Sequence, residues 1–129
     1  MSILLAIALQ LAALPHTDDA FAARVTRGKL VEVGPTGPAY QKALWDQITA
    51  PTTTALKSCI ASNAPADKSP FTVVADVRPD GRPTRVLAEP ATPVANCLAG
   101  WMASQVLPVP PKLADGSVYP IEIDFSITH

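Results

Sequence analysis

Cys59 and Cys97 are the only cysteines in the chain, and each sits in a segment with helical spacing. Between them runs an alternating pattern broken by Pro79-Asp80-Gly81, which is hairpin-turn chemistry: proline presets φ and glycine takes the left-handed position. That layout constrains the chain to two helices flanking a two-stranded hairpin. In an oxidising compartment a bridge between the cysteines ties the helices together and closes a loop of about 39 residues, worth about 4 kcal/mol in the chain-entropy model. In a reducing one the same residues are two buried thiols that pack as small hydrophobes. No Cys-x-x-Cys motif occurs, so thioredoxin-like redox work has no basis. Two cysteines in different elements bring no further ligands at zinc-like spacing, and neither a metal nor a cofactor is expected.

The compartment is read from the start of the chain. Ile3 to Leu14 is apolar except for Gln10, too short for a bilayer span of roughly 20 residues but suited to a signal-peptide core. Ala20-Phe21-Ala22 then supplies the small-x-small pattern of a cleavage site, so residues 1–22 read as a signal peptide and Ala23 as the first mature residue. No cysteine follows the apolar run, which excludes a lipoprotein anchor, and a cleaved signal leaves no stable membrane insertion. Ten basic residues against eleven acidic give a net charge of −1, and losing Asp18 and Asp19 gives 10 − 9 = +1. Neither value provides the clustered basic face of a nucleic-acid binder. Arg78, Arg82 and Arg85 gather around the expected turn, where solvated charge is the ordinary reading.

Residues 23–38 form an N-terminal extension with a short strand, Lys29 to Val33, ended by Gly34-Pro35-Thr36-Gly37-Pro38. A helix follows from Ala39 to Ile48, with Tyr40, Leu44 and Ile48 on one face. Pro51 stops it and opens a second helical piece, Thr52 to Ala61, whose apolar stripe contains Cys59. Phe71, Val73, Ala75 and Val77 alternate with Thr72, Val74, Asp76 and Arg78, and Thr84, Val86 and Ala88 continue beyond the turn as the second arm. Thr92 then reads as the N-cap and Pro93 as the first residue of a helix with Val94, Cys97, Leu98, Trp101 and Met102 on its apolar stripe. Pro108, Pro110 and Pro111 force an extended crossing. Ile121, Ile123, Phe125 and Ile127 alternate with Glu122, Asp124, Ser126 and Thr128, a last strand with one wet face. The fold class is α+β, in the order α-β-β-α-β, with two helices packed on a three-stranded antiparallel sheet. Trp101 belongs to the core, and Trp45, beside the stripe, caps a surface groove.

Catalytic groups are hard to place. His16 lies in the expected leader and His129 is the last residue, so a serine or cysteine nucleophile lacks a base. Glu122 and Asp124 share a strand face and superficially pair as carboxylates, but at i, i+2 on a wet face they read as solvated strand residues, and Asp76 and Asp80 are equally bland. With no glycine-rich phosphate loop either, the chain reads as a non-enzyme.

The run from Cys59 to Phe125 resembles the C-terminal domain of TonB-like periplasmic proteins, and more closely the AgmX/PglI-type branch. The features that carry the resemblance are the helix cysteine, the Arg78-Pro79-Asp80-Gly81 turn, Cys97 and Trp101 four apart, Pro108 with Pro110, and the final alternating strand. Residues 39–129 are then the TonB-like domain. The resemblance implies two helices on one sheet face, periplasmic residence, and binding of a peptide or envelope protein by strand addition. The pairing edge it implies is the last strand: Ile121, Glu122, Ile123, Asp124, Phe125, Ser126 and Ile127. An energy transducer also needs a transmembrane helix with Ser-x-x-x-His and a proline-rich spacer; Ser2 and His16 do not match that pattern, so force transmission is not expected. Two other functions fit the same fold. One is a self-associating envelope protein, a homodimer through the sheet edge, or a monomer whose edge is closed by Lys29–Val33. The other is a small-ligand or inhibitor protein using Trp45 and the Arg78–Arg85 turn.

Overall fold

The computed structural model describes residues 16–128, with side chains from Ala20 onward; the expected signal-peptide core, Ile3–Leu14, and His129 lie outside them. Six elements follow in order: α1 (His16–Glu32), α2 (Gly37–Ser62), β1 (Phe71–Val77), β2 (Pro83–Glu89), α3 (Pro93–Ala103) and β3 (Tyr119–Phe125). The α+β class and the three-stranded antiparallel sheet are as the alternation predicts, with strand order β2-β1-β3.

Local chemistry places the predicted elements. Thr92 caps α3, its Oγ1 accepting from Ala95 N at 3.1 Å, and Pro93 fills the first turn where a missing N–H costs nothing. Gly81 adopts φ +88°, and its N–H bonds Arg78 O at 2.8 Å to close the turn. A Cβ at Gly81 would also fall 2.3 Å from Leu107 O, because Leu107 N docks on Gly81 O at 2.8 Å. That contact ties the proline-rich crossing to the hairpin. Phe71, Val73, Ala75 and Val77 of β1 share the inner face with Tyr119, Ile121 and Ile123 of β3, and α2 and α3 close over them. Tyr40 meets Tyr119 with ring centroids 4.7 Å apart, and Phe71 stacks on Phe125 at 5.0 Å. Val94, Leu98 and Met102 are fully buried, each such side chain contributing about 1.5–3 kcal/mol.

Several expectations change. The two helical pieces around Pro51 are one helix, α2, because Tyr40, Leu44, Ile48, Thr52, Ala55 and Cys59 form a single buried stripe in phase across the proline. Packing both halves of that stripe on the sheet outweighs the backbone bond that Pro51 cannot make. Lys29–Val33 is not a strand: Lys29 to Glu32 is the last turn of α1, and nothing there pairs with the sheet. The last strand runs from Tyr119 to Phe125, so Ser126 and Ile127 fall outside it. Its ladder ends at Phe71↔Phe125, where Pro70 precedes the partner strand and offers no N–H.

The largest change concerns the second sheet face. Two helices on one face leave the other wet, but α1 packs across that face over β3. The result is a three-layer sandwich of α1, sheet, and the α2/α3 pair. Glu122 and Asp76, expected as solvated strand residues, are accordingly buried, 6% and 4% exposed.

Candidate functional site

The two sheet edges differ. β2 is blunted against further pairing. It begins with Pro83, and a bulge at Arg85, opposite Ala75, breaks its register. Arg85 holds φ +52°, a left-handed conformation costing on the order of 1 kcal/mol for a non-glycine residue. Its carbonyl already accepts Arg24 Nη2 at 2.8 Å. β3 is regular along all seven residues. Proline is tolerated in an edge strand where its missing N–H faces away from the partner strand, which puts the backbone of Pro120 on the outer side. By the antiparallel alternation, Glu122 and Asp124 turn their N–H and C=O groups outward with it, while Tyr119, Ile121, Ile123 and Phe125 bond β1. Among the described residues, no backbone group outside the ladder bonds to residues 119–128.

Of the seven residues expected at the edge, the structure thus separates two roles. Ile121 and Ile123 are core side chains with backbones committed to β1, and Phe125 is half-buried. Glu122 and Asp124 carry the outward backbone, and Ser126 and Ile127 lie past the strand end.

Above this edge, α1 supplies the electrostatics. Gly28 lets the helix backbone approach closely: a Cβ there would sit 3.1 Å from Glu122 Cγ and 3.3 Å from Glu122 N. Lys29 Nζ spans Glu122 Oε2 at 3.3 Å and Asp124 Oδ2 at 3.4 Å. Thr72 Oγ1 donates to Asp124 Oδ1 at 2.6 Å, which holds the Asp124 carboxyl below its usual range. Glu32 lies beside Glu122, and burial, reinforced by that neighbouring carboxylate, pushes Glu32 up to about 7. Glu122 Oε1 is buried with no partner.

Further along the same face, Asp76 bonds Arg85 Nη1 at 2.9 Å and lies 3.8 Å from Arg24 Nη2. The three arginines of the turn therefore separate: Arg78 and Arg82 flank Asp80 at 3.7 and 3.8 Å in solvent, while Arg85 reaches to the α1 side. On the inner side the Cys59 and Cys97 sulfurs lie at disulfide distance, with Cα atoms 5.7 Å apart. Trp101 packs half-buried against the core and Trp45 is 41% exposed.

Arg24, Gly28, Lys29 and Glu32, which cover the sheet, escape the sequence reading. Arg24, Gly28 and Glu32 lie four apart and mark a helix face, but an expected cleavage after Ala22 splits that helix in two. Among the described residues no group of three His, Cys, Asp or Glu side chains is placed to hold a metal ion, and no helix is long and apolar enough to cross a membrane. No family model, no curated protein and no solved structure matches this chain.

Proposed function

We propose that this chain is a non-enzymatic interaction module of the periplasm that binds an extended segment of an envelope protein by adding it as a fourth strand beside β3. The observation that carries the reading is the asymmetry of the edges: β2 is closed by Pro83, the Arg85 bulge and Arg24, whereas β3 is regular and, among the described residues, its outward backbone at the exposed Asp124 has no backbone partner. An incoming strand meets a donor and an acceptor at Asp124, the exposed outward position of β3, each bond worth about 1 kcal/mol net, while Pro120 and Glu122 further along are buried. The layout shared with TonB-like domains and the cysteine pair support periplasmic residence, since a disulfide persists in an oxidising compartment.

The test separates backbone from side chain at one exposed position. Asp124→Pro removes an outward N–H without touching the β1 ladder, and Asp124→Ala removes the side chain alone. Peptides selected from a displayed library on the purified protein should lose about tenfold or more in affinity to the proline variant and about threefold at most to the alanine variant. Equal binding to both variants by all selected peptides rules the edge out. A dimer in sedimentation that Asp124→Pro dissociates would assign the edge to self-association instead.

A further inference from the structure

Three arginines gather on one part of the covered sheet face, while Lys29 answers Glu122 and Asp124 on another. Arg24, Arg27 and Arg85 converge on a cavity of about 200 Å³ between α1 and the sheet, with Val74, Pro120 and Ile121 among its apolar walls. Asp76 is the carboxylate within this cavity, already bonded to Arg85 at 2.9 Å, and Asp115 acts on Arg27 from outside it. The Arg24 side chain is only 14% exposed; among the described residues it donates through Nη2 to Arg85 O, and Asp76 lies 3.8 Å away. Arg27 is held from the far side, donating to Ser117 Oγ and to Val118 O. Burial lowers the Arg24 pKa against the opposing pull of Asp76, and Arg85 adds a smaller lowering. Next to this cavity, and sharing Arg24 and Arg85 with it, lies a second hollow lined by Phe21, by Glu89 and by Leu87, which is 52% exposed.

We propose that this paired cavity binds a carboxylate carrying an apolar chain. The head group sits among Arg24, Arg27 and Arg85, and the chain leaves across the exposed Leu87. Planar guanidinium forks match a carboxylate with two parallel N–H···O bonds, and apolar walls strengthen such bonds by excluding water. A phosphate dianion suits the site less well, because Asp76 stays within it and repels the second charge. The adjoining apolar hollow gives a chain somewhere to go, which inorganic anions do not use. This site lies on the α1 face, apart from the outer edge of β3, and does not depend on strand addition.

Sodium octanoate is the probe, with octanol and inorganic phosphate beside it, followed by the arginine Nε resonances and by calorimetry on the purified protein. Octanoate should bind with a dissociation constant below about 1 mM, move the Arg24 Nε signal, and exceed phosphate by about tenfold. Arg24→Gln and Arg27→Gln should each weaken it about tenfold, and Arg24→Lys less, since a charge remains. Both glutamine variants keep Arg85 on Asp76, so the fold persists. Octanol binding as well as octanoate, phosphate binding as tightly, or octanoate affinity unchanged in both glutamine variants overturns the proposal.

Discussion

Glu32 and Glu122 occupy one small space between α1 and β3, and the sign of their effect on stability follows from Glu32. Its ordinary value of 4.5 rises to about 7 in the folded chain, so between those values the native state holds a proton that the unfolded chain has released. Folding therefore gains from this group fully below pH 4.5, and the gain disappears as pH rises through about 7. Asp124 acts in the opposite sense: its lowered value contributes above 3.8 and fades only in stronger acid. Urea unfolding from pH 5 to pH 8 should show wild-type stability falling on the order of 1 kcal/mol, once solvent screening at a half-exposed carboxyl is allowed for. Glu32→Gln should flatten that slope; an unchanged slope would place the titration elsewhere. At this scale the sequence is least informative. Glu122 and Asp124 alternate as a wet face, and only a helix 90 residues away in the chain decides that one is buried and the other exposed. Asp76 is hidden in the same way, since neither Arg24 nor the bulge that aims Arg85 can be read from local pattern.

Among the elements, α2 shows how packing overrides a local rule. Pro51 deprives Gln47 O of its helical donor, and propensity alone ends the helix there. The buried stripe continues in phase through Thr52, Ala55 and Cys59, so both halves rest on one sheet surface and no break occurs. Pro51→Ala restores the donor and should raise unfolding free energy by about 1–3 kcal/mol, read from the urea midpoint at unchanged slope. A fall would mean that Pro51 fills the hollow beside Trp101 and Gln105, where it is also a wall. Elements whose signal is local were legible: the Asp80-Gly81 turn, the Thr92 cap with Pro93, the two hairpin arms and the alternation of β3. α1 was not, because its N-terminal half coincides with a credible export signal and its C-terminal half, Lys29 to Val33, reads as a strand when detached. The last strand lies at a sheet edge over Tyr119–Phe125, two residues earlier than its alternation suggests, but which of its backbones face outward depends on pairing with β1, and Pro120 becomes the clue only once that pairing is known.

At the scale of the molecule, the sandwich divides into two differently secured halves. The inner half is fastened by Cys59 and Cys97, 38 residues apart, across α2 and α3; the outer half rests on Gly28, Lys29 and the Asp76 ion pairs. Replacing both cysteines by alanine should lower stability by about 2–4 kcal/mol, while reductant should do the same to the wild type and nothing to the variant. If the variant and the oxidised protein unfold together, the sulfurs contribute no constraint. The outer half carries a different kind of consequence. α1 is the earliest described element to be synthesised and β3 the latest, yet α1 lies chiefly on β3, with Gly28 against Glu122. While a ribosome is still making the chain, α1 has no surface to settle on and β1 lacks its second neighbour. The molecule thus postpones its own closure until β3 has emerged, and up to that point its sheet keeps one face without a cover.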